Sequence, residues 1–73
     1  MPAIKELTLD RFGTVARLSI VDTVMPDRGG YRYLVLDELG AVRNRFRTKL
    51  GAEKYFKTVA KGLTEYGFRV VND

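Results

Sequence analysis

The chain has 73 residues, 45% hydrophobic and 30% charged, with no cysteine, histidine or tryptophan. A chain this short buries only about 60% of its unfolded surface, which supports one small core and one domain, residues 1–73. The missing Cys and His exclude disulfides, thiolate catalysis and the commonest metal ligands, and leave no side chain whose ordinary titration falls near neutrality.

The strongly apolar runs are short, the longest being Tyr33 to Leu36, against the roughly 20 residues that span a bilayer. MPAIKELTLD has no apolar segment of secretory type, so a soluble, cytoplasmic protein without membrane contact is expected. The net charge of +4 is unevenly placed. Residues 1–42 carry five basic and six acidic side chains. Residues 43–61 carry seven basic ones (Arg43, Arg45, Arg47, Lys49, Lys54, Lys57, Lys61) against Glu53 alone, and residues 62–73 carry one basic and two acidic. A local excess of this kind points to an anionic partner.

In chain order, IKELTL (residues 4–9) reads as either a short edge strand or a helical turn. DRFG (Asp10 to Gly13) suits a type I turn followed by a left-handed glycine, joining two antiparallel strands. The faces of that first hairpin sort poorly, mixing Glu6 with Ile4 and Leu18. TVARLSIVDTV alternates with Ala16, Leu18, Ile20 and Val24 on one side and Arg17, Ser19, Val21 and Thr23 on the other, a strand ending at Met25. PDRGG (Pro26 to Gly30) turns the chain back.

DELG (Asp37 to Gly40) repeats the Asp and Gly spacing of DRFG and predicts a second hairpin. Its register sets Leu36 opposite Val42, Leu34 opposite Asn44 and Arg32 opposite Phe46 on a core face. The other face pairs Val35 with Arg43, Tyr33 with Arg45 and Tyr31 with Arg47. After Thr48 the period becomes helical: Leu50, Ala52, Phe56, Val59, Leu63 and Tyr66 line one side and Lys54, Lys57, Lys61 and Glu65 the other. Thr48 is the N-cap, Gly67 the stop, and Glu53 and Lys57 form an i,i+4 pair. FRVVN reads as a final short strand or extended tail. The fold class is α+β, a three- to four-stranded antiparallel β-meander with one amphipathic helix on one face and a possible short C-terminal strand.

The other sheet face is left to solvent or to a partner, and solvent alone would also require it to be polar. Alternate strand residues are about 6.6–6.8 Å apart, so Arg43, Arg45 and Arg47 reach over roughly 13 Å, close to the width of the DNA major groove. Arginine grips phosphate or a guanine edge with two bonds, and exposed tyrosines offer stacking area. The leading expectation is therefore a small nucleic-acid-binding module, for duplex DNA, with Arg17, Tyr31, Tyr33, Arg43, Arg45 and Arg47 on the binding face and Lys49 on phosphate at its rim. The lysines of the helix are the ordinary solvated face of an amphipathic helix. The alternative is a protein-interaction module, an adaptor or inhibitor of a larger protein or nucleoprotein of the phage or mobile-element type, meeting an acidic surface or pairing along an open strand edge.

The hairpin followed by Thr48, Ala52 and Tyr55, with Gly67 and Asn72 beyond the helix, resembles the second half of an AP2-type DNA-binding domain and is similar in layout to the N-terminal domain of tyrosine integrases. The likeness covers about residues 31–72. It implies that a sheet face enters the major groove, and that Arg43, Arg45 and Arg47 make the contacts. No phosphate-binding glycine loop is present, Asp37 and Glu38 belong to a turn, and no histidine activates a hydroxyl. Neither an enzyme nor a cofactor or metal is expected, and the chain is expected to be a monomer or weak dimer.

Overall fold

A computed structural model describes residues 3–72; Met1, Pro2 and Asp73, together with the side chain of Asn72 that the resemblance uses, lie outside the described residues. In chain order the elements are β1 (Ala3–Arg11), β2 (Thr14–Asp22), β3 (Tyr33–Leu36), β4 (Val42–Phe46), α1 (Lys49–Glu65) and β5 (Arg69–Asn72). The strands form one antiparallel sheet in the order β4-β3-β2-β1-β5. The first four are thus a meander, and the C-terminal segment adds a fifth strand beyond β1. Helix α1 packs across β2, β3 and β4. The α+β class and the one-sided helix are as the sequence predicts, and no described helix is long and apolar enough to cross a membrane.

IKELTL belongs to a nine-residue strand rather than a helical turn. Its poor sorting has a local cause. The register with β2 shifts between Ala3 and Lys5, so Ile4 is an extra, bulged residue and the alternation restarts after it. From there Leu7 lies opposite Leu18 and Leu9 opposite Ala16. Lys5 shares that face, and its ammonium sits 5.1 Å from the centre of the Phe56 ring, the behaviour of a long cation laid along apolar surface.

The buried cluster consists of Leu18, Ile20, Val35, Ala52 and Phe56, flanked by Leu7, Tyr33, Phe46, Tyr55, Val59, Ala60 and Leu63. Burying a side chain such as Leu18 or Ile20 contributes about 1.5–3 kcal/mol, so a handful of residues carries most of the packing energy. The helix begins where the sequence places it, with Thr48 accepting a hydrogen bond from Gly51 N at 3.1 Å. It ends in a Schellman motif: Phe68 N donates to Leu63 O, Gly67 N donates to Thr64 O, and Gly67 has φ +101°. Leu50 and Tyr66, expected inward, are exposed, and Glu53 and Lys57 form no ion pair within 4 Å.

The two predicted hairpins separate. Around DELG, Gly40 N donates to Asp37 O and Asp37 N to Ala41 O, with Gly40 at φ +80°, the expected three-residue loop. At DRFG, Arg11 pairs directly with Thr14, leaving a two-residue loop in which Phe12 (φ +51°) and Gly13 (φ +87°) are both left-handed. That is a type I′ turn, which matches strand twist but is built here around a phenylalanine. The β1–β2 ribbon also runs past the end of β3, whose pairing with β2 covers only Ser19–Asp22. The molecule is accordingly elongated, with a radius of gyration of 12.4 Å against about 11 Å for a compact chain of this length.

Candidate nucleic-acid interface

The register of β3 with β4 departs from the prediction at one residue. Leu36 faces Val42 as expected, but Val35 faces Asn44, Leu34 faces Arg45 and Tyr33 faces Phe46. Arg43 is the extra residue of a β-bulge, and each pair beyond it is displaced by one. Because Val35 pairs with Ile20 and is fully buried, Tyr33 and Val35 belong to the helix-covered face. Leu34 and Leu36 then face the open side, the reverse of the sequence reading. A slip of one residue moves every side chain of a strand to the other face, which is why a single bulge has this effect.

Of the seven expected binding residues, the open face keeps Arg17 and Arg45. Arg17 donates from Nε to Thr8 Oγ1 at 3.3 Å on the partner strand, and Arg45 is exposed opposite Leu34. Tyr33 is withdrawn: it packs against the core with the Arg32 guanidinium 5.5 Å from its ring centre. Arg43 stands exposed in the bulge. Arg47, beyond the end of β4, folds back on the loop, donating from Nε to Gly29 O at 2.8 Å with its guanidinium 4.6 Å from the Tyr31 ring centre. Lys49 opens α1. The expected row of three arginines across one face is therefore not formed.

The loop that holds Tyr31 is built by Asp27. Its Oδ1 accepts from Gly29 N at 2.9 Å and Tyr31 N at 3.0 Å, while Gly30 N donates to Asp27 O and Asp27 N to Tyr31 O. Gly29 has a steric role, since a Cβ there would lie 2.8 Å from the Tyr31 ring. The signal was present in the sequence as a further Asp-x-x-Gly, DRGG, obscured by its neighbouring proline and second glycine.

One step upstream, Asp22 and Arg32 make a two-bond ion pair, Nε to Oδ1 at 2.7 Å and Nη2 to Oδ2 at 3.0 Å. Hydrogen bonding from Arg32, then from Val24 N, holds the Asp22 carboxyl below its ordinary pKa, with the Lys49 charge adding to the effect. The same pairing raises Arg32. Val24 is left at φ +70°, outside the alternation expected of it.

Tyr31, Val42 and Arg45 border two adjoining hollows of about 370 Å³ each. Arg43 and Asn44 complete one, and Leu34 and Asp27 help to line the other. Asn44 also accepts a hydrogen bond from the backbone N–H of Arg45 at 2.8 Å, which caps a donor on the outermost strand. Lys54, Lys57 and Lys61 are exposed on α1, on the opposite side of the sheet, so the basic excess of residues 43–61 is divided between two surfaces. No family model, curated protein or solved structure gives a match to the chain.

Proposed function

We propose that the protein binds nucleic acid through the basic edge formed by β4 and the start of α1. The observation that carries this reading is an asymmetry of engagement. Three aspartates of the adjoining strand and loops are occupied by the chain itself: Asp22 by Arg32 and Val24 N, Asp27 by two backbone N–H groups, and Asp37 by Leu39 N and Ala41 N. Arg43 and Arg45 are exposed, with no carboxylate within 4 Å among the described residues. Cations held out beside occupied acids suit phosphate, and Lys49, which opens α1 three residues after β4 and lies close enough to Asp22 to lower its pKa, is the next cation along the chain. The role that the AP2-type resemblance implies for Arg43, Arg45 and Arg47 narrows to Arg43 and Arg45, because Arg47 is engaged by the loop.

The test is affinity for random-sequence duplex, single-stranded DNA and RNA as a function of salt. Binding should weaken steeply, with a log–log slope of roughly −2 to −3 for three phosphate contacts, and Arg43→Ala with Arg45→Ala should flatten it without changing thermal unfolding. A flat salt response, or no binding at low salt, sinks the proposal.

The protein-interaction reading is favoured by a different region. Phe12 is 96% exposed at the ribbon tip, and Tyr66 is exposed across the Arg11 guanidinium, which lies 5.8 Å and 5.3 Å from the two ring centres. Exposed aromatic area of this kind is a common protein-contact feature.

A further inference from the structure

The construction around Tyr31 says more about the ligand than charge does. Arg47 covers one side of the ring at 4.6 Å, and Gly29 lies so close to its edge that no Cβ fits. Asp27 fixes the backbone of Tyr31 through two hydrogen bonds, N–H to carboxylate and carbonyl from Asp27 N. The aromatic plane is thus positioned before any ligand arrives, which lowers the ordering cost of binding to it. The ring borders hollows of about 370 Å³ with Leu34 and Val42 as apolar lining and Arg43 and Arg45 at the rim. Both hollows are open to solvent; the one lined by Leu34 and Met25 is the more apolar and the one between Arg43 and Arg45 the more polar, so an apolar seat lies beside a cationic one.

A duplex hides the faces of its bases, and the broken arginine row does not form the regular ladder that a major-groove reader needs. An aromatic plate beside a cationic rim instead matches a flat base with a phosphate next to it. Resting on the nucleic-acid reading above, we infer that the ligand of this edge is single-stranded, with one unstacked base seated against Tyr31 over Leu34 and Val42 and its flanking phosphates on Arg43 and Arg45. The base takes the ring side turned away from Arg47, so that guanidinium, phenol and base form one stack.

The experiment uses the full chain with labelled oligonucleotides of about 12 nucleotides, as DNA, as RNA and as the matching duplex. Single strands should bind at least about tenfold more tightly than the duplex, and Tyr31→Ala should lose about tenfold on single strands while leaving duplex affinity unchanged. Tyr31→Trp keeps a plate of the same kind and supplies the sole tryptophan of the chain. It should retain single-strand affinity and show quenched emission at saturation, which serves even if Tyr31→Ala folds poorly. Duplex bound as tightly as single strands, or an unmoved emission in Tyr31→Trp, overturns the inference while leaving phosphate binding at the edge intact. Absence of binding to any of the three overturns both. The DNA and RNA arms decide which sugar the edge prefers.

Discussion

The loops Asp27–Tyr31 and Asp37–Ala41 share one hydrogen-bond scheme. In each the Asp Oδ1 accepts from the N–H groups two and four residues on, the Asp carbonyl accepts from the glycine N–H, and the Asp N–H donates to the fifth carbonyl. Gly30 and Gly40 even have the same φ of +80°. Their surroundings differ. The first ends in Tyr31 and is clasped by Arg47, whereas the second exposes Leu39 and ends in Ala41. One local rule of backbone chemistry thus serves a plain connection in one place and a positioned aromatic in the other, and the fifth residue with its neighbour makes the difference.

The largest test of that contrast is the pair Asp27→Ala and Asp37→Ala. Loss of the two charged hydrogen bonds should cost about 1 kcal/mol at Asp37 and about 2 kcal/mol at Asp27, where the Tyr31 and Arg47 packing is released as well. Denaturant unfolding measures both, and equal costs would show that the clasp adds nothing. Next come Gly30→Ala and Gly40→Ala, each destabilising by about 1 kcal/mol because an L side chain is placed at positive φ. At Gly40 the new Cβ meets open space, and at Gly30 only an ordinary contact with Arg47 at 3.5 Å, so the two values should agree. A much larger cost at Gly30 would mean that Arg47, not the turn, sets the backbone.

The third Asp-x-x-Gly, at Asp10, has a different loop with Phe12 left-handed, and there Phe12→Asn should stabilise by up to about 1 kcal/mol. An unchanged midpoint would place the compensation in the Arg11 and Phe12 contact. The smallest effect concerns the residue pair that anchors the first loop. Since Arg32 holds the Asp22 pKa below its ordinary value, the stabilisation from Asp22 is complete above about pH 4 and is lost as pH falls through the folded-state pKa. Asp22→Asn should flatten that acid limb and leave the profile above it parallel to that of the parent.

The sequence made the helix legible to its ends, because Thr48, the apolar spacing of Ala52, Phe56, Val59 and Leu63, and Gly67 each act through local chemistry. The inward side of β2 was legible for the same reason. What escaped were the bulges, at Ile4, at Arg43 and at Val71, since none carries a glycine or other marker and each is set by pairing with another strand. The second of these exchanged Tyr33 and Val35 for Leu34 and Leu36 on the open face. Arg45 stayed where the alternation put it, because β4 beyond the bulge keeps Phe46 against the core. The clasp of Arg47 on Gly29 joins residues 18 apart, and no local pattern encodes it.

The bulge at Arg43 and the cap that Asn44 places on Arg45 N also govern how this sheet can grow. A strand offered to the β4 edge meets a kinked backbone, an occupied donor and the exposed side chains of Arg43 and Arg45. The opposite edge, β5, leaves Val70 and Val71 exposed but is irregular too, since its register with β1 shifts between Thr8 and Leu9 and makes Val71 the extra residue. Polymerisation by strand addition requires two receptive edges per molecule, and here both outer strands are bulged. A sheet interrupted at both margins is poorly disposed to add strands and propagate into a fibre.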